Sequence, residues 1–170
     1  MNPAKVFAVL EKSRDEMVRT LADLCRIPAI GPASNGEGET KKAEMVESLL
    51  KGFGIKVERH DAPDDRVPSG IRPNLVVKTG KGSPRLWLLT HLYVVPPGDR
   101  AGWRCDPFDP QVFDGRLYGR GVEDNGQALV ATTYALKVVL DVAGEPSRPV
   151  GLCYVSDEET GNEKGVRHVI

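Results

Sequence analysis

Two short apolar runs constrain this chain more than any other feature. Leu86-Trp87-Leu88-Leu89 and residues 149–155 (PVGLCYV) are nearly uninterrupted, and their length suits strands buried on both faces. Each run stops on polar residues: Thr90-His91 after the first, Ser156-Asp157-Glu158-Glu159 after the second. Between them, residues 125–143 carry Leu129, Val130, Leu136, Val139 and Leu140 in a helix-like stretch. Interleaved strands and helices predict an α/β class, with helices packed on both faces of a mostly parallel or mixed sheet.

The rest of the chain supplies the remaining elements. Val6, Val9, Leu10, Met17, Leu21 and Leu24 predict one helix over 4–24, ended before Pro28. Residues 29–39, rich in Gly, Pro and small polar residues, read as a loop. Thr40 is the expected N-cap of a second helix with Ala43, Val46, Leu49 and Leu50 inward, stopped by Gly52 or Gly54. Ile55-Lys56-Val57-Glu58-Arg59 alternates as a strand, 61–73 reads as a loop, 74–79 as a strand and 80–84 as a turn. The Pro and Gly content of 96–110 excludes regular structure, and Asp114-Gly115 predicts a hairpin over 112–118. A further helix is expected to begin near Gly161. Trp87 is expected in the core, and Trp103 as the anchor of its loop.

Composition narrows the function classes. The 170 residues hold 23 Lys plus Arg against 24 Asp plus Glu, a net charge of −1. That balance argues against nucleic acid or an anionic membrane held by bulk charge. The absence of a long apolar span and of a secretory pattern leads to the expectation of a cytoplasmic protein. Cys25, Cys105 and Cys153 are odd in number and widely spaced, which fits a reducing compartment better than a disulfide scaffold.

The chemistry then rests on three polar clusters: His91, Asp124 and the acids Asp157, Glu158 and Glu159. Ligands bind at the carboxyl ends of strands in open α/β sheets. Two of the clusters follow strands, and Asp124 precedes a helix. A His nitrogen and carboxylates are ligands that zinc uses when a position stays open for water. Of the adjacent acids Glu158 and Glu159, one is free to bind metal and the other to hold a proton, provided the backbone turns there; Thr160-Gly161 offers such a turn. Each residue alone has a plainer reading: His91 as a structural histidine, Asp124 as a helix N-cap, the acidic run as a solvated loop.

Together the segments THLYVVPPGDRAGWRCDPFDP, DGRLYGRGVEDNGQ and SDEETGNEKG resemble the M20 family of metallopeptidases. That family includes aminoacylases, acetylornithine deacetylases, succinyl-diaminopimelate desuccinylases, carboxypeptidases and dipeptidases. The resemblance implies a three-layer α/β catalytic domain of the zinc-peptidase type, with residues 1–170 as its N-terminal part. The dimerisation domain and the C-terminal catalytic segment, with a further acidic ligand and a final histidine, are expected to be missing. It further implies two zinc ions, with cobalt or manganese as substitutes: His91 binds one, Asp124 bridges both, Glu159 binds the other, and Glu158 is the general base. The implied reaction is hydrolysis of an amide or peptide bond in a small N-acylated amino acid or peptide. The truncated chain by itself is expected to bind metal poorly and to be inactive, and to self-associate through an uncovered sheet face or strand edge.

One position departs from the family's His-x-Asp motif: Tyr93 stands where the Asp is expected. A phenol carries no charge near neutral pH, so the carboxylate that supports the metal site is lost. The competing reading is therefore a non-catalytic binding or structural protein that keeps the fold with a degenerate metal site. Intact His91, Asp124, Glu158 and Glu159 weigh against it. A nucleotide-binding α/β protein ranks lower, since no phosphate loop is present.

Overall fold

The computed structural model describes residues 2–83 and 85–170; Pro84, the last residue of the turn expected at 80–84, lies outside the described residues. The helices are α1 Pro3–Lys12, α2 Arg14–Cys25, α3 Thr40–Gly52, α4 Ala128–Ala143 and α5 Val166–Val169. The strands are β1 Glu58–Arg59, β2 Ala62–Pro63, β3 Ile71–Arg72, β4 Leu75–Thr79, β5 Leu86–His91, β6 Gln111–Phe113, β7 Arg116–Tyr118 and β8 Val150–Val155.

The principal sheet has the order β1-β4-β8-β5. It is mixed: β1–β4 and β4–β8 are antiparallel, and β8–β5 is parallel. Its faces are unequally covered. Leu75, Val77, Leu152 and Tyr154 point into the main core with Leu24, Ala43, Val46, Leu50, Leu129 and Tyr134 from α2, α3 and α4. Val76, Cys153 and Val155 point the other way, where Val166 and Val169 of α5 pack on them. Helices thus lie on both faces, as the α/β expectation has it, but the second layer is thin. No helix among the described residues is long and apolar enough to cross a membrane.

That thin layer corrects one expectation. The run Leu86–Leu89 was expected to be buried on both faces, with Trp87 in the core. Instead β5 is the edge strand of the described sheet, with Leu86 60%, Trp87 46% and Leu89 48% exposed. Trp87 and Leu89 project toward the face that only α5 covers, while Leu88 packs against the main core. A Cβ on Gly151, the cross-strand partner of Trp87, would come within 2.3 Å of the indole carbons. The indole therefore sits over the bare backbone of β8 at Gly151 rather than in the main core.

Other boundaries shift for local reasons. The helix expected over 4–24 breaks at Ser13, whose hydroxyl donates to the Val9 carbonyl at 3.2 Å. Thr40 is the first residue of α3, not its cap; Glu39 holds the cap position, and the Thr40 hydroxyl donates to Ser69 Oγ at 2.9 Å. The strand expected over 55–59 shrinks to β1, and the loop 61–73 contains the small β2–β3 hairpin. The helix after Gly161 is delayed to Val166. The Asp114-Gly115 hairpin forms as expected, with φ of 52° and 74° at its two turn residues. Trp103 does anchor its loop: its Nε1–H donates to the Pro97 carbonyl at 2.9 Å.

Candidate metal centre

Parallel pairing of β5 and β8 sets up the site. Their register runs from Leu86 opposite Val150 to His91 opposite Val155, so both strands end side by side. His91 closes β5 and is buried. The segment after β8 turns at once. Asp157 adopts a left-handed conformation (φ 60°), Glu158–Thr160 form a single 3₁₀ turn, and Gly161 (φ 119°) ends it. The turn expected at Thr160-Gly161 therefore begins at Asp157. It resolves the objection that adjacent acids on a strand face opposite ways.

Asp124 arrives from a third segment. It lies in the irregular turn Val122–Gln127, with φ −108° and ψ 96°, and its peptide bond to Asn125 is cis. The plain N-cap reading fails: α4 begins at Ala128, and its start has no side-chain cap bond. Asp124 Oδ1 instead lies 2.9 Å from His91 Nε2, and Glu158 Oε2 lies 3.7 Å from the same nitrogen. Donor atoms of His91, Asp124 and Glu159 all lie within 4.8 Å of one another. Metal–ligand bonds of about 2.0–2.2 Å place donors up to about 4.4 Å apart. The trio is thus close to a spacing that could hold a metal ion.

The electrostatics favour a cation there. Burial first, then the Asp124 carboxylate, pushes the Glu159 carboxyl up; His91 opposes this and Glu158 adds to it. His91 Nδ1 lies 2.9 Å from the Tyr93 carbonyl. A carbonyl only accepts, so Nδ1 carries the hydrogen and Nε2 faces the acids. A carboxylate 2.9 Å from Nε2 calls for a proton or a metal ion between them. The His91 main-chain N–H donates to Asn125 Oδ1 at 3.3 Å.

Tyr93 is buried, with its ring against Gly31. A Cβ on Gly31 would come 2.5 Å from Tyr93 Cε2 and 3.2 Å from Arg72 Nη2. His91 Nδ1 nonetheless has an acceptor, the main-chain carbonyl of Tyr93 itself.

Beneath the turn lies a group of residues that sequence reasoning missed. Glu39 and Arg72 are fully buried and paired twice, Nε to Oε2 at 2.6 Å and Nη2 to Oε1 at 2.5 Å. Arg72 Nη1 also reaches Asp64 Oδ2 at 3.4 Å and Asp157 Oδ1 at 3.6 Å. Hydrogen bonds from Arg66, with help from Arg72, hold the Asp64 carboxyl well below the usual carboxylate range. Asn74 Oδ1 accepts from the Ser156 N–H, and its amide donates to the Lys164 and His60 carbonyls, each at 2.9 Å. Asn125 lies in the segment DGRLYGRGVEDNGQ, marked there only as the expected start of a helix; Glu39, Arg72 and Asn74 have no periodicity or motif to mark them. A small void beside His91 is also lined by Lys42, Cys25 and Asn125. Burial pushes the Lys42 amine down to about 8 and the Cys25 thiol up to about 11.

Known proteins are similar to this chain. The sequence model of peptidase family M20/M25/M40 matches residues 87–170, the portion that includes His91, Asp124, Glu158 and Glu159. A protein described as an uncharacterized metallohydrolase of Methanocaldococcus jannaschii is 35% identical over 162 residues, covering 92% of this chain and 40% of its own length. Succinyl-diaminopimelate desuccinylase of Xanthomonas campestris pv. campestris is 44% identical over 156 residues, covering 91% of this chain and 38% of its own. The chain thus spans about two fifths of the length of these curated relatives. The crystal structure of human carnosine dipeptidase 1 superposes with a TM-score of 0.79 at 24% identity, over 95% of this chain and 36% of that one, and shows the same fold. With its motifs, its fold and its relatives in agreement, the chain belongs to the M20 family of metallopeptidases.

Proposed function

We propose that this chain is the N-terminal part of the catalytic domain of a metal-dependent hydrolase that cleaves an amide or peptide bond in a small N-acylated amino acid or peptide. The observation that carries the reading is the convergence of His91, Asp124 and Glu159 donors within 4.8 Å. Three sequence-distant segments meet there with one imidazole and two carboxylates, the donor types of a hydrolytic zinc site. Names among the relatives, a desuccinylase and a metallohydrolase, point the same way.

His91, Asp124 and Glu159 would hold the metal, with Glu158 beside it as the base. Zinc in this position supplies Lewis acidity, which polarises a carbonyl and acidifies water. The chain's own residues do the rest. Tyr93 O keeps the His91 ring in the tautomer that presents Nε2. Glu158 Oε2, half-exposed and 3.7 Å from Nε2, takes a proton from the attacking water and returns it to the leaving nitrogen. The competing reading, a degenerate site at Tyr93, loses its main support because Nδ1 has an acceptor. Zinc titration of the full-length protein by calorimetry, beside its His91→Ala variant, tests the ligand assignment: binding is expected in the former and weakened in the latter. Equal binding by both would reject it. Hydrolysis of N-succinyl and dipeptide substrates by the full-length protein tests the reaction class.

A further inference from the structure

The left-handed residue that launches the acidic turn is gripped from below by the buried ion pair. Glu39 Oε1, already bonded to Arg72, accepts the Asp157 main-chain N–H at 3.1 Å. Arg72 Nη1 lies 3.6 Å from Asp157 Oδ1. The Asp157 carboxylate also accepts from the Thr160 hydroxyl and from the Lys164 N–H, the latter at 3.0 Å. Its carbonyl accepts from the N–H groups of Thr160 (3.2 Å) and Asn162 (2.9 Å). Every polar group of Asp157 is therefore committed, and two of them end on Glu39 and Arg72. A non-glycine residue at positive φ persists only where its surroundings over-determine it. Glu158 and Glu159 follow it directly, so the direction in which they leave the sheet is set by how Asp157 is held.

We propose that Glu39 and Arg72 are positioning residues. Buried and touching neither substrate nor metal, they fix Asp157 in its left-handed state and so aim Glu158 and Glu159 at His91 and Asp124. A pair serving only as core filler would have no reason to end on a main-chain N–H at the rim of the site. It would need no guanidinium fork spread over three carboxylates either. The metal-binding half of this inference rests on the proposed function; the backbone half does not.

The test uses amide hydrogen exchange and zinc titration on the full-length protein, as wild type, Glu39→Gln and Arg72→Lys. Glutamine replaces one acceptor oxygen with a donor facing the guanidinium, and lysine keeps the charge but loses the fork. Amides of Asp157, Thr160 and Asn162 are expected to exchange at least tenfold faster in the variants, while amides of β4 and β8 keep wild-type rates. Zinc affinity is expected to fall by about 10- to 100-fold, the usual cost of losing outer support for a ligand. If one variant does not fold, the other decides. If both unfold, or if protection falls equally across the sheet, the pair is a general core brace and the inference is overturned. Unchanged exchange at Asp157 in a folded variant overturns it as well, as does faster exchange with unchanged zinc affinity. If wild type binds no zinc, the metal reading fails by itself, and the exchange comparison still decides whether the pair holds the turn.

Discussion

His91 Nδ1 and the main-chain carbonyl of Tyr93 lie 2.9 Å apart, two residues from each other at the end of β5. The support for the imidazole therefore comes from backbone that any side chain at 93 would provide. Tyr93→Phe should leave zinc affinity within about twofold of wild type by calorimetry. Tyr93→Asp empties the ring's place against Gly31 and buries a carboxylate there; loss of a buried aromatic costs about 3–5 kcal/mol, visible as a lower thermal midpoint. Gly31→Ala should destabilise too, because the new Cβ meets the Tyr93 ring at 2.5 Å. Overpacking of this kind costs about 1–3 kcal/mol.

Glu158 and Glu159 are adjacent, yet only Glu159 joins the converging trio of donors. Their substitutions should therefore separate. Glu159→Gln should weaken zinc binding, while Glu158→Gln should leave it within a few-fold. In the full-length protein, Glu158→Gln should cut kcat by about 10²–10⁴, the usual contribution of a general base. Retention of wild-type turnover in that variant would remove Glu158 from the proton-transfer role.

Lys42 is a buried amine whose burial, opposed by Cys25 and Glu39, pushes its pKa from 10.5 down to about 8. Its folded-state value lies below its unfolded one, so the unfolded chain binds more protons between those limits, and stability rises with pH from about 8 to 10.5. Below that window the full penalty applies, about 3 kcal/mol at 1.36 kcal/mol per unit. Lys42→Met should therefore raise the thermal midpoint at pH 7 by several degrees, and the gain should shrink when melts are repeated near pH 10. A Lys42→Met protein that is less stable at pH 7 would show that the ammonium is held by favourable contacts.

The exposed Trp87 and Leu89, beside Val76 and Cys153, give the second sheet face an apolar strip at its edge. Such strips at unpaired strands promote association. Light scattering should show mass rising with concentration, and Leu89→Lys should suppress the rise without changing the circular dichroism spectrum. A clean monomer at every concentration would count against the strip as an adhesive surface.

The parts of this molecule legible in its sequence are those with local causes. Asp114-Gly115 demands a hairpin because two successive positive φ values suit few other residues. His91 and the Glu158-Glu159 pair stood out because apolar runs stop at them, and a sheet brings strand ends together. The Glu39–Arg72 pair was illegible: its members are 33 residues apart, and no pattern near Glu39 distinguishes a buried carboxylate from a solvated one. The burial of β5 was misjudged for the opposite reason. An apolar run reports that a strand is fit to be covered, not which neighbour covers it.

The pairing of β5 with β8 has a last consequence. Side chains on a strand alternate faces, so sliding β5 by one residue would turn His91 to the far side of the sheet and bring Thr90 or Leu92 toward Asp124. Such a slipped molecule would keep nearly the same secondary structure and offer no imidazole to an incoming ion. The geometry of the site is therefore decided by the alignment of these two strands before any side chain adjusts.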